Sequence, residues 1–198
     1  MCLDNYLAKY NITDYEGHSS QIPQQMFDLK QFLSDLEIKE ILEIGFNAGH
    51  SSDLFLSNSI ATVTSFDLNE RPCVNIAKQY IDIKFPSRHT LINGDSTKTI
   101  PEFIKNNKNK TFDIIFIDGG HQYNIAYSDI INCKSLAHKD TIVLMDDIVL
   151  DKKNQTQCSI EPTLAWCNAN INKIVEQYDS RIYEIGRGMV WGKYIFNE

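Results

Sequence analysis

At 198 residues the chain suits a single domain with a full hydrophobic core, since a domain near this size buries roughly 70% of the surface its unfolded chain exposes. Its net charge of −7 and pI near 5.2 work against a polyanionic partner: nucleic-acid binding shows as a basic patch, and the one basic tract, Lys105-Asn-Asn-Lys-Asn-Lys110, reads as a solvated loop. Five cysteines, Cys2, Cys73, Cys133, Cys158 and Cys167, with no C-x-x-C pair, fit neither a disulfide framework nor a zinc site. No stretch approaches the roughly 18 apolar residues of a membrane span, and Met1 to Tyr10 has no apolar leader, so the chain reads as soluble and cytoplasmic with no membrane partner.

Residues 1–37 read as an N-terminal helical extension, with Met26, Phe27, Leu29, Phe32, Leu33 and Leu36 at helical spacing as a core-facing stripe. Apolar runs bounded by polar turns then recur at Glu40–Ile44, Thr62–Phe66, His89–Ile92, Phe112–Ile117 and Thr141–Met145. Helical patterns fall between them, at Ser51–Asn58, Cys73–Ile81, Ile100–Asn106 and Ile125–Ala137. Strands alternating with helices predict a mostly parallel α/β sheet covered on both faces. The segment Leu150 to Pro162, polar and without a period, reads as a flexible loop. Arg181–Ile185 and Met189–Phe196, separated by Gly186-Arg187-Gly188, predict a closing antiparallel hairpin. No internal repeat or linker divides the chain, so 1–198 reads as one domain with its core at 38–198.

The most informative segment is Glu40-Ile-Leu-Glu-Ile-Gly-Phe-Asn-Ala-Gly-His-Ser-Ser52, a β-run that ends in a glycine-spaced turn opening a helix. Gly45 and Gly49 let backbone approach a ligand that a Cβ would exclude, and the helix start offers unpaired N–H groups. Asn47 and His50 occupy the second and third glycine positions of a dinucleotide fingerprint, which argues against a nicotinamide dehydrogenase. In an open α/β sheet, ligands bind outside the carboxyl ends of the strands. Here those ends are acidic in succession: Glu43, Asp67, Asp95-Ser96, Asp118 and Asp146-Asp147. A lone acid at such a place usually caps the next helix, but five sites in a row are harder to dismiss. Asp67 lies 24 positions after Glu43, near the offset at which Rossmann-like folds place a carboxylate on ribose hydroxyls.

The Glu43-x-Gly45-x-x-x-Gly49 turn resembles motif I of class I S-adenosylmethionine-dependent methyltransferases, and the parallel sheet finished by a hairpin is similar to their Rossmann-like fold of seven strands. The run Phe112-Asp-Ile-Ile-Phe-Ile-Asp-Gly-Gly-His-Gln-Tyr123 is similar to the strand-four motif of metal-dependent small-molecule O-methyltransferases acting on sugar hydroxyls, whose strand-five acidic pair matches Asp146-Asp147. The resemblance implies S-adenosylmethionine as cofactor, held by Glu43, Gly45, Asn47, Gly49, Asp67, Asp95, Ser96 and Asp118. It implies a divalent cation on Asp118, Asp146 and Asp147, with magnesium suited to all-oxygen ligation. Successive strand residues point to opposite faces, so Asp146 and Asp147 converge only if the backbone leaves strand geometry there.

His121, beside Asp118 in the catalytic set, is the expected general base, since an unperturbed histidine takes a proton near neutral pH. The expected activity is transfer of a methyl group to a small-molecule hydroxyl. Two alternatives stand beside it: a non-catalytic binding protein that keeps the cofactor fold, and a nucleic-acid methyltransferase, although no Asn/Asp-Pro-Pro-Tyr/Phe run follows strand four. The apolar N-terminal helices are candidates for pairing with a second copy of the chain.

Overall fold

Short β-branched and aromatic runs become strands and the polar-faced segments between them become helices in a computed structural model that describes residues 1–13, 15, 18–34 and 37–196. Backbone contacts divide the chain into two compact units, Met1–Asp95 and Ser96–Glu198. The first contains α1 (Leu3–Ala8), a 3₁₀ turn at Ser19–Gln21, α2 (Pro23–Ser34), β1 (Glu40–Ile44), α3 (His50–Asn58), β2 (Thr62–Asp67), α4 (Pro72–Lys84) and β3 (His89–Asn93). The second contains α5 (Ser96–Asn106), β4 (Phe112–Ile117), α6 (Tyr123–Cys133), β5 (Ala137–Asp146), α7 (Gln157–Ile171), β6 (Val175–Glu184) and β7 (Arg187–Tyr194). Of the seven strands, those of the first unit lie in the order β3-β2-β1 and those of the second in the order β4-β5-β7-β6. Among the described residues no helix is long and apolar enough to cross a membrane.

In the first unit β1 pairs parallel with β2, Glu40 opposite Thr62 and Ile44 opposite Phe66, and β2 pairs parallel with β3, Asp67 opposite Asn93. Ile41, Leu42, Val63 and Phe66 are almost completely buried, as strands covered on both faces require. Arg88 secures the far end of α3 by donating to Leu56 O at 3.1 Å, Ser59 O at 2.8 Å and Ala61 O at 2.7 Å, carbonyls that the helix itself leaves unsatisfied or that follow it. In the second unit β4 pairs parallel with β5, and β7 runs antiparallel to both β5 and β6. Ile114, Ile115 and Phe116 of β4, Val143 and Leu144 of β5 and Trp166 of α7 form its apolar interior.

The α/β class, the mostly parallel strands and the terminal hairpin agree with the sequence reading, with several boundaries moved. Strand β5 begins at Ala137, because a 3₁₀ turn at Lys134–Leu136 ends the helical pattern that the sequence extended to Ala137. The hairpin is longer, and Gly188 lies inside β7, where a Cβ would stand 2.4 Å from Ile148 O, rather than in the turn. The predicted flexible loop at Leu150–Pro162 is corrected: α7 starts at Gln157 inside it, behind a capping box in which Thr156 and Ser159 exchange side-chain and backbone hydrogen bonds. The stripe on α2 is corrected too. Leu29 and Leu33 are buried as expected, but Gln25 and Asp28 share that face while Phe27 is exposed, and Leu36 lies outside the described residues.

Candidate functional site

The glycine-spaced turn of the first unit is built from left-handed backbone. Gly45 has φ 94°, Asn47 φ 46° and Gly49 φ 78°, and asparagine is among the few residues with a side chain that visit this region routinely. Gly49 is the N-cap of α3, and a Cβ there would stand 3.0 Å from Phe46 Cζ and 3.3 Å from Ala77 Cβ, so both backbone and space require glycine. Gly45 N–H donates to Phe66 O at 2.8 Å, which fastens the turn to the end of β2.

Asp67 supports the turn from below. Its Oδ2 accepts from Asn47 N–H at 2.8 Å and its Oδ1 from Asn69 N–H at 2.7 Å. The second contact is an Asx turn, which the spacing of Asp67 and Asn69 carried in the sequence and which motif matching passed over. A carboxylate has about four acceptor positions, so two backbone donors leave capacity for a ligand's hydroxyls. Gly94, at φ 131°, donates its N–H to Asp67 O at 2.8 Å and so brings the half-buried Asp95 to the end of β3. Ser96 follows as the first residue of α5.

Glu43 is placed differently from the other strand-end acids. It is fully buried, and its Oε2 accepts hydrogen bonds from the hydroxyls of Ser52 and Ser65. Ser65 Oγ in turn meets His89 Nε2 at 2.9 Å. Burial pushes the Glu43 carboxyl up from its ordinary value, while the hydroxyls of Ser51, Ser52 and Ser65 pull it back. Burial, with Lys78 adding to it, depresses His89 to about 4. Sequence reasoning named Glu43 but not its serines or His89.

In the second unit Asp118, His121, Asp146 and Asp147 line one pocket together with Met145 and Pro162. Asp146 ends β5 and is almost fully buried, and Asp147 follows at φ 59°, so the backbone does leave strand geometry where convergence of the two acids needs it. The Asp147 Oδ2 stands 2.9 Å from His121 Nε2, a contact between a largely buried carboxylate and a half-exposed imidazole. Two further features escaped the sequence reading: Pro162 in the lining, and Glu161, whose Oε2 accepts from Tyr123 N–H at 2.6 Å at the start of α6. Among the described residues no group of three or more His, Cys, Asp or Glu side chains is arranged to hold a metal ion.

The sequence signature of the methyltransferase domain matches residues 42–148. Comparison with curated proteins finds no match. Among solved structures, an O-methyltransferase from Bacillus cereus in complex with SAH is 19% identical with a TM-score of 0.77, over 98% of this chain and 90% of that one. The O-methyltransferase TomG from Streptomyces achromogenes, involved in tomaymycin synthesis and in complex with SAM, is 14% identical with a TM-score of 0.72, over 97% of this chain and 87% of that one. The N-methyltransferase NodS from Bradyrhizobium japonicum WM9 is 12% identical with a TM-score of 0.64, over 86% of this chain and 94% of that one. Likeness at these identities is one of fold, and that fold serves methyl transfer to oxygen and to nitrogen alike. The sheet with its antiparallel hairpin is the class I methyltransferase fold, and with the family signature covering more than half of its length this chain belongs to the methyltransferase domain family.

Proposed function

We propose that the protein transfers a methyl group from S-adenosylmethionine to a hydroxyl of a small molecule, a sugar or a similar hydroxylated metabolite. The observation that carries this reading is the pairing of His121 Nε2 with Asp147 Oδ2 at 2.9 Å, in a pocket that Asp118 and Asp146 also line. A carboxylate that accepts from one imidazole nitrogen fixes the tautomer and stabilises the imidazolium that forms when the other nitrogen takes a proton. With Asp147 holding the ring, His121 is the group that takes the hydroxyl proton.

S-adenosylmethionine, when bound, supplies a methyl group already activated by its sulfonium. The chain's own task is to bind, align and deprotonate. Gly45, Asn47 and Gly49 bring backbone close to the ligand, Asp67 accepts from ribose hydroxyls, Asp95 and Ser96 border the adenine, and Asp118 lies at the reactive end. Glu43 serves the same site from inside the protein. The carboxylates of Asp118, Asp146 and Asp147 have the oxygen chemistry that a hard divalent cation such as magnesium prefers, although the described residues do not gather three such groups around one point. Such an ion, when bound, would acidify an acceptor hydroxyl.

The family signature runs through the sequence of both compact units, which supports treating 1–198 as one methyltransferase domain with a helical extension at 1–37. Five unpaired thiols suit the reducing cytoplasm. Calorimetry with S-adenosylhomocysteine, followed by transfer of labelled methyl from S-adenosylmethionine to a panel of sugars, phenols and other hydroxylated metabolites with and without magnesium, tests the proposal. Binding of the thioether product together with transfer to at least one hydroxyl is expected. Binding of NAD in its place would refute it, and cofactor binding with no transfer across the panel would leave a non-catalytic binding protein.

A further inference from the structure

The strand-end acids of the first unit split into two kinds. Asp67 is half-exposed and turned to backbone amides, whereas Glu43 has no exposed surface at all and therefore cannot touch a cofactor. Burying a carboxylate without partners is expensive, and a fold that does so spends donors on it. Here Ser52 comes from the first turn of α3 and Ser65 from the middle of β2, and both hydroxyls converge on a single oxygen of Glu43. His89 of β3 closes the cluster, its Nε2 at 2.9 Å from Ser65 Oγ and 3.4 Å from Ser52 Oγ. With both serine protons directed to the carboxylate, Ser65 accepts from His89 Nε2–H, and His89 Nδ1 is left buried with no hydrogen-bond partner among the described residues. Glu43 Oε1 is likewise buried with no hydrogen-bond partner among the described residues, so what the cluster secures is the one oxygen, Oε2, on which the two serines meet.

The position of that contact in the chain shows what it does. Glu43 lies just before the glycine-spaced turn and Ser52 just after it, so their hydrogen bond ties together the two ends of the segment that contains Gly45, Asn47 and Gly49. The same carboxylate reaches β2 through Ser65, whose neighbour Phe66 accepts from Gly45 N–H and whose strand ends at Asp67, the acceptor for Asn47 N–H. A loop held at its base and at its middle loses its conformational freedom before a ligand arrives, which removes an ordering cost from binding.

We propose that Glu43 is a positioning residue, closing the base of the cofactor turn through Ser52 and fixing it to β2 through Ser65, so that the turn is set in its binding shape without ligand. The proposal rests on the methyltransferase reading for the identity of the ligand but not for the clamp itself. Hydrogen exchange of the unliganded protein therefore reads it directly, at Asn47 N–H, which bonds Asp67, and at Gly49 N–H, which bonds Phe46 O.

In Ser52→Ala these two amides should exchange about tenfold faster relative to global unfolding, one net hydrogen bond's worth, and S-adenosylhomocysteine should bind about tenfold more weakly. Glu43→Gln keeps an acceptor oxygen for the serines and should stay within about threefold of the wild type in both readouts. Wild-type exchange at both amides in Ser52→Ala overturns the proposal, as does acceleration spread evenly over the whole unit, which would make the serine a contributor to global stability only. Equal losses in Glu43→Gln and Ser52→Ala overturn it as well. If the wild type fails to bind S-adenosylhomocysteine, the functional reading falls while the exchange result still decides the clamp.

Discussion

Replacing Asp67 separates support of the turn from recognition of the ligand. Its two oxygens accept from Asn47 N–H at 2.8 Å and Asn69 N–H at 2.7 Å. Hydrogen bonds to a charged acceptor contribute about 1.5–3 kcal/mol each, and solvent screening at a half-exposed site brings the pair to about 2 kcal/mol together. Asp67→Ala should lower the unfolding free energy by about that amount and weaken S-adenosylhomocysteine by roughly 100-fold, since turn and ribose lose the same acceptor. Asp67→Asn sharpens the test. It retains one oxygen but sets an amide NH₂ against a backbone N–H, so it should destabilise the fold about as much as alanine despite its matching shape. Urea unfolding and calorimetry measure the two effects on the same samples. A loss of stability with unchanged cofactor affinity in Asp67→Ala would refute the ribose role, and wild-type stability in Asp67→Asn would refute the account of the turn.

His121→Ala should lower turnover by roughly 10² to 10⁴-fold while calorimetry shows cofactor affinity unchanged, and near-normal turnover would move the proton acceptor elsewhere. Excess EDTA should reduce transfer and magnesium restore it; full turnover in chelator would leave Asp118, Asp146 and Asp147 acting without a cation. Gly49→Ala, which places a Cβ at 3.0 Å from Phe46 Cζ with φ at 78°, should lower the urea midpoint by the equivalent of at least about 1 kcal/mol. His89, depressed to about 4 in the fold, is held neutral by burial, so the unfolded chain binds the extra proton between the ordinary value of 6.5 and 4. Stability should therefore fall as pH drops through that window, by at most about 3 kcal/mol from this residue, and NMR titration of the His89 ring near 6.5 would contradict it.

Most of the fold was legible because strands buried on both faces read as largely apolar runs, carried by Ile41, Leu42 and Ile44 in β1, Val63 and Phe66 in β2 and Ile114–Ile117 in β4. What escaped the sequence had weaker local signals. Helix α7 carries Ile160, Leu164 and Ile171 on its exposed side and mixes Ser159 and Thr163 with Ala165, Trp166 and Ala169 on its buried side, so its apolar residues do not form the single stripe that marks a surface helix. The capping box at Thr156 and Ser159 was the one readable sign, and serine in place of the usual Glu or Gln weakened it. On α2 the same inversion, Gln25 inside and Phe27 outside, made the apolar stripe misleading.

At the strand ends, sequence showed where carboxylates fall but not what each one faces, since exposure depends on what packs against the strand. Glu43 and Asp67 end neighbouring parallel strands, yet one is sealed beneath Ser52 and Ser65 and the other turned toward the amides of Asn47 and Asn69. Asp146 and Asp147 are adjacent in sequence, and only the left-handed backbone at Asp147 lets both line one pocket. That conformation costs on the order of 1 kcal/mol for a residue with a side chain, somewhat less for aspartate, and persists where surrounding structure imposes it. Here β5 is held in place by β4 up to Met145 and by β7 up to Asp146, and Ile148 N–H is fixed by Gly188 O at 3.0 Å just beyond. The turn between them has little freedom, so Asp147 is delivered to His121 by the sheet rather than by its own preference. Relaxing that strain with Asp147→Gly, which removes the carboxylate but eases the backbone, should therefore raise stability slightly while lowering turnover, and a variant that lost both would place the value of Asp147 in the fold instead of the chemistry.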